Sequence, residues 1–174
     1  TSLGSVSGAH FNPAVTIAIL ASGRPGLSAK DACMYIPVQI IGGICAAFTY
    51  VLMENGKTFP LGPGKGFSWT QAAIAEVAFT FLLCYVVLSV ATTKEVLTEY
   101  FGLAIGSCVT AGGYAIGAIS GGSLNPAVSF GIAVSGGTPL NAVFYSAFEI
   151  AGGLLAAGIF MSTHATEYDA DIPK

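Results

Sequence analysis

Charge is what this sequence has least of: only 9% of its 174 residues are Asp, Glu, Lys or Arg, against roughly a quarter in a soluble domain. A chain so poor in charge, and 53% hydrophobic, cannot cover a water-facing surface and belongs in a lipid bilayer. The formal net charge is −3, so no basic excess exists to bind nucleic acid, which is excluded as a partner. Cysteine is scarce as well. Cys33, Cys45, Cys84 and Cys108 stand singly in apolar runs, without a CxxC pair or a nearby His, and read as small apolar packers rather than metal ligands or redox pairs. No Ser-His-Asp, Cys-His, HExxH or paired-carboxylate arrangement is present, so neither an enzyme nor a cofactor is expected. A basic and then apolar leader is also missing, since Thr1 to Phe11 is small and polar. The sequence reads as beginning inside a longer protein.

What is abundant is long apolar sequence. Ala32–Met53, Gln71–Thr92, Tyr100–Ile119 and Ala142–Met161 each approach the ~20 residues needed to cross a hydrocarbon core. Two shorter runs, Pro13–Ala21 and Pro126–Val134, follow an Asn and are too short to span, so each is expected as a half helix entering from one side. Of the 23 glycines, ten fall inside the spans, where small residues let helices approach closely in lipid.

An internal repeat organises these pieces. Ser7-Gly8-Ala9-His10-Phe11-Asn12-Pro13-Ala14-Val15 aligns with Ser120-Gly121-Gly122-Ser123-Leu124-Asn125-Pro126-Ala127-Val128 at an offset of 113. Tyr35, Gln39, Gly42-Gly43 and Ala46-Ala47 align with Tyr145, Glu149, Gly152-Gly153 and Ala156-Ala157 at an offset of 110. The division is one channel domain over 1–174. It holds the remainder of a first repeat (1–53), a connecting loop (54–69), a second repeat (70–161) and a polar tail (162–174). Only 11 residues precede Asn12, whereas the second repeat has far more before Asn125, so about 45 residues holding two further spans are expected before Thr1. The two repeats then enter the membrane in opposite senses.

Asn is a favoured helix cap and Pro a favoured first helical residue, so Asn12-Pro13 and Asn125-Pro126 read as helix starts. An Asn oxygen that caps its own helix leaves the amide N–H groups free to donate to a passing ligand. In an inverted plan both helix starts meet near mid-membrane. Each carries about half a positive charge; at ~5 Å and an effective dielectric of ~20 the pair repels a cation by ~3 kcal/mol. A neutral molecule meets no such barrier.

Ser7 to Thr16, Asn125 to Gly131 and the Ala-Glu-x-x-x-Thr-Phe of Ala75 to Phe81 resemble the major intrinsic proteins, the aquaporins and glycerol channels. The resemblance implies an all-α membrane protein, an inverted-repeat bundle of six spans and two re-entrant half helices, here without its first two spans. It also implies a homotetramer with one pore per subunit. By that resemblance the carbonyls of Gly8, Ala9, His10, Gly121, Gly122 and Ser123 form the acceptor ladder of the pore, and Asn12 and Asn125 donate at its centre. Glu76 accepts hydrogen bonds from the second loop, and Pro13 and Pro126 support the half helices. The family usually places Arg after the second Asn-Pro-Ala, where this sequence has Val128; with Gly113 on the fifth helix and Gly122 as a carbonyl, the filter is expected to be wide. Glu149 stands where the family more often has an apolar residue or Pro. Val128, Ser129 and Ala133 look most like the tonoplast-type water channels and their protist relatives.

Water is therefore the expected permeant, with ammonia, urea, hydrogen peroxide or glycerol as further neutral solutes. No metal is expected; His10 reads as a packed ring at a pore-lining backbone position, and His164 as solvated. Arg24, Lys30, Lys94 and Lys174 fall on one side in the inverted plan and Lys57 and Lys65 on the other, which favours the first side as cytoplasmic. The membrane, plasma or vacuolar, is not written in these residues. A non-conducting structural or junctional subunit of the same fold is the alternative, and an ion channel or coupled transporter would show more charge at mid-membrane than Glu76 and Glu149.

Overall fold

The structure, a computed structural model, describes residues 3–169. Among them the chain forms seven α-helices and a closing 3-10 turn, with no strand. In order these are α1 (Gly4–Ser7), α2 (Pro13–Ala21), α3 (Ala29–Met53), α4 (Trp69–Ala91), α5 (Phe101–Ser120), α6 (Pro126–Ser135) and α7 (Pro139–Thr163), then the turn Ala165–Tyr168. The helices α3, α4, α5 and α7 are long and apolar enough to cross a bilayer. At ~1.5 Å per residue, α2 and α6, with 9 and 10 residues, reach only partway.

Three of the four spans begin earlier than hydrophobicity alone indicates, two of them because a polar side chain caps the start. Ser28 accepts the Asp31 N–H, so α3 opens at Ala29 rather than Ala32. Ser68 and Gln71 cap each other's backbone N–H, which moves the start of α4 to Trp69. Pro139 takes the first turn of α7, three residues before Ala142. The short α1, unforeseen in the polar opening, matches the last turn of α5 by the same offset of 113, and both end on a left-handed glycine, Gly8 at φ 72° and Gly121 at φ 94°.

Each half helix packs on a span of the other repeat. A Cβ added to Gly153 of α7 would stand 2.9 Å from the Ala14 carbonyl oxygen of α2, and one added to Gly43 of α3 would collide with the Ala127 carbonyl of α6. Backbones this close are allowed only by glycine, and such small-residue contacts are what hold helices together in lipid. The buried core includes Ala14, Ala18, Cys84, Leu88, Ala156 and Phe160. Outward faces carry Met34, Val38, Ile41, Leu103 and Val109 exposed, a surface suited to hydrocarbon rather than water.

The tail is not a solvated appendage. Arg24, only 6% exposed, pairs with Glu167 at 2.9 Å, donates through Nε to the Thr92 carbonyl at 2.7 Å and lies over the Tyr168 ring at 5.5 Å. Tyr168 in turn donates to the Ser22 carbonyl at 2.7 Å, and the Lys94 N–H reaches Glu167 Oε2 at 2.7 Å. The 3-10 turn thus clasps the ends of α2 and α4, because a buried guanidinium is costly unless it is paired and hydrogen-bonded. His164, partly exposed, stacks its ring on Phe160 at 4.3 Å. Lys174, counted above for orientation, lies outside the described residues.

Candidate functional site

The two asparagines reach into each other's loops. Asn12 and Asn125 both adopt extended backbone, at φ −150° and −158°, and each Oδ1 accepts the N–H two residues on, from Ala14 and Ala127 at 2.9 Å. Across the dyad, Asn12 Nδ2 donates to the Leu124 carbonyl at 2.8 Å and Asn125 Nδ2 to the Phe11 carbonyl at 3.0 Å. Sequence reasoning left both amide protons of each Asn to a ligand. The structure spends one of them on the opposite loop and leaves one.

What makes this crossing possible is unusual backbone. Gly8, Ala9 and Phe11 have φ of 72°, 52° and 50°, and Gly121, Gly122 and Leu124 have 94°, 64° and 55°. Left-handed conformation costs a side-chain-bearing residue ~1–3 kcal/mol, and here it falls at matching places in both loops. Phe11 and Leu124, each directly before an Asn, supply the very carbonyls that the opposite asparagines bind. Pro13 and Pro126 lie buried at the first helical position beneath them.

Two cavities meet at this crossing. One of about 540 Å³ is bordered by Gly8, Ala9, His10, Asn12 and Asn125 with Leu83 and Val87 of α4 among its apolar walls. The other, about 680 Å³, runs along α3 past Tyr35 and Val38 and touches His10, Phe11, Asn125 and Val128. Gly121, Gly122, Ser123 and Gly113 border neither. Gly122 instead packs against Gly113, since a Cβ on Gly122 would lie 3.1 Å from the Gly113 Cα, while one on Gly113 would meet nothing within 4 Å. Val128 is 39% exposed.

The second loop hangs on a buried carboxyl. Glu76 of α4, fully buried, accepts Ser120 Oγ at 2.7 Å and the backbone N–H groups of Ser123 and Leu124 at 3.0 and 2.9 Å. Tyr145 adds a hydrogen bond from its hydroxyl to the Ser120 carbonyl at 2.7 Å, a support that no motif announced. Glu149, which the sequence left without a role, accepts Ser129 Oγ at 2.7 Å through Oε1, and its Oε2 has no protein partner. The His10 ring meets Tyr35 edge-on at 5.9 Å and Thr16 Oγ1 at 3.2 Å. Among the described residues no group of three His, Cys, Asp or Glu could hold a metal ion.

The sequence model of the major intrinsic protein family matches residues 1–157. The chain is 32% identical over 179 aligned residues to aquaporin NIP3-1 of Oryza sativa subsp. japonica, covering 99% of this chain and 56% of that protein. It is 34% identical to aquaporin TIP2-3 of Arabidopsis thaliana, covering 95% of this chain and 67% of the relative. The chain thus spans between about half and two thirds of the length of these curated relatives. Among solved structures, the X-ray structure of the aquaglyceroporin from Plasmodium falciparum superposes with a TM-score of 0.66 over 90% of this chain and 73% of that one, at 19% identity, which is a likeness of fold. With four helices of spanning length and a family match over most of its residues, this integral membrane chain belongs to the major intrinsic protein family.

Proposed function

We propose that this chain supplies the conducting core of a passive channel for water and small neutral solutes. The observation that carries the reading is the crossing of Asn12 and Asn125, each donating across to the other loop at 2.8 and 3.0 Å. That crossing sets two helix starts against each other, and their combined partial charge of about one unit disfavours cations by ~3 kcal/mol at ~5 Å and a dielectric of ~20. Each Asn keeps one amide proton to offer a neutral oxygen-bearing molecule. A hydrated ion must also shed its shell to enter a narrow passage, whereas water exchanges one set of hydrogen bonds for another.

Water comes first in this proposal; ammonia, urea, hydrogen peroxide and glycerol follow, because Val128 and Gly113 put neither bulk nor fixed charge at the filter positions. The carbonyls of Gly8, Ala9, His10, Gly121, Gly122 and Ser123 are proposed as acceptors along the path, in a homotetramer with one pore per subunit. The test is stopped-flow swelling of proteoliposomes bearing the full-length protein, with proton flux followed by an internal pH dye. Swelling well above the lipid rate, without added proton leak, is the expected result. Swelling at the lipid rate would refute conduction, and a matching proton leak would refute the exclusion argument.

A further inference from the structure

The two re-entrant loops are tethered by the same three-residue chain, built once in each repeat. In the first, His10 Nδ1 lies 3.2 Å from Thr16 Oγ1, and Gln39 Nε2 donates to that same oxygen at 2.9 Å. In the second, Ser123 Oγ lies 2.7 Å from Ser129 Oγ, which donates to Glu149 Oε1 at 2.7 Å. Position by position these are repeat mates: His10 and Thr16 stand 113 residues before Ser123 and Ser129, and Gln39 stands 110 before Glu149. All three residue types differ between the copies, yet the same positions are in contact, with the last bond reversed: Gln39 donates to Thr16, whereas Glu149 accepts from Ser129. A loop side chain meets a hydroxyl one turn into the half helix, and that hydroxyl meets an amide or carboxyl on the following span. Two unrelated buried pairs would not recur in register in this way.

The direction of the second chain follows from proton counting. With the one Ser129 hydroxyl proton given to Glu149 Oε1, Ser123 is the donor in the 2.7 Å contact with Ser129, in preference to its longer alternative, the Asn125 carbonyl at 3.2 Å. Ser123 is then held twice: its hydroxyl through Ser129 by Glu149, and its backbone N–H directly by Glu76 Oε1 at 3.0 Å. Ser129, Glu149 and Thr16 are fully buried, so water cannot replace a missing link.

We infer that Glu149, acting through Ser129, is a positioning residue that fixes Ser123 in the second re-entrant loop, directly before Leu124 and the Asn125 cap, as Gln39 acting through Thr16 fixes His10 in the first. The inference rests on the channel reading above. It also explains how a carboxyl is accommodated in α7: Glu149 Oε1 accepts from Ser129, while Gln39 at the matching place donates through Nε2 to Thr16, so a neutral amide serves the same link.

The experiment compares wild type, Glu149→Gln, Glu149→Leu, Ser129→Ala and the Glu149→Leu/Ser129→Ala double variant, each as full-length protein in liposomes. Stopped-flow traces give water permeability and the glycerol-to-water ratio, with reconstituted protein quantified. Glu149→Gln keeps an acceptor and should stay within about twofold of wild type in both readouts, because the hydrogen bond survives. Glu149→Leu and Ser129→Ala should each shift the glycerol-to-water ratio in the same direction by about threefold to tenfold, the effect of one lost hydrogen bond. The double variant should shift it no further than either single, since the two residues act as one link. A role confined to folding would lower the number of channels without moving the ratio. Ser129→Ala removes a single oxygen and keeps the test decisive if Glu149→Leu fails to assemble. Wild-type permeation with an unchanged ratio in Ser129→Ala, or additive shifts in the double variant, overturns the relay alone. A wild type that swells at the lipid rate overturns the channel reading and the relay with it.

Discussion

Replacing Glu76 by alanine would strip the acceptor from three donors at once. Two are backbone N–H groups, of Ser123 and Leu124, and Leu124 is 1% exposed, so its N–H has no water to turn to. The third, Ser120 Oγ, already lies 3.4 Å from the Ile116 carbonyl and can turn to it at small cost. Each stranded backbone donor costs ~1–3 kcal/mol. Relief of the carboxyl's own desolvation offsets part of this, leaving a net loss of ~3 kcal/mol on the same scale. For a chain of this size that corresponds to a fall of roughly 6–12 °C in Tm. The loss has a local reporter: Trp69 is the single tryptophan, its ring 5.5 Å from Phe144 and 6.1 Å from Tyr145, and Tyr145 is bonded to the Ser120 carbonyl beside the loop. Intrinsic fluorescence during heating in detergent should show Glu76→Ala melting earliest, Glu76→Gln intermediate because it keeps one acceptor oxygen, and wild type last. A Glu76→Ala protein that melts within about 2 °C of wild type, less than 1 kcal/mol on this scale, would show that these hydrogen bonds do not hold the loop.

Val128→Arg should narrow the second cavity and cut urea and glycerol uptake more than water; unchanged solute uptake at normal expression would discard the filter assignment. Gly153→Val should cost about 3 kcal/mol or more through overpacking, because its first carbon already falls 2.9 Å from the Ala14 carbonyl, and the expected readout is loss of monodisperse protein in detergent. Arg24→Gln should loosen the tail by ~2 kcal/mol, below the value for a fully buried pair since the Glu167 side chain is 18% exposed; equal rates of tail proteolysis in variant and wild type would contradict the clasp. Burial raises the Tyr168 phenol above its ordinary value of 10, ahead of the opposing pull of Arg24 and the bond to Ser22. The folded tail therefore keeps a proton that the open tail has lost. Its stabilisation is complete below about pH 10 and falls as pH rises through the raised value, so proteolysis of the tail should accelerate there and lose that step in Tyr168→Phe.

The repeat and its two Asn-Pro starts were legible because they are local: a cap, a fixed φ and an apolar run are all written within a few residues, and α2 falls on Pro13–Ala21 as the sequence reads. Span starts were less legible, since Ser28 and Ser68 look like ordinary linker residues until their side chains are seen to cap a helix. The crossing of the asparagines onto the Phe11 and Leu124 carbonyls depends on left-handed φ at two bulky residues, which propensity argues against. Least legible were contacts between distant positions. Arg24 and Glu167 are separated by 143 residues, and no pattern in either neighbourhood names the other. Glu149 looked anomalous only because its hydroxyl partner lies on a different helix.

Because Ala14 rests on Gly153 and Ala127 on Gly43, each half helix needs a span of the other repeat to complete its seat. During synthesis α2 emerges well before α7, and its seat stays incomplete until α7 has entered the bilayer. In the interval the Asn12 cap and the strained turn before it must be sheltered by something else, such as the translocation machinery or a provisional neighbour. α7 therefore acts as a bolt on α2, and a product truncated before α7 should be a target for quality control rather than half of a working protein.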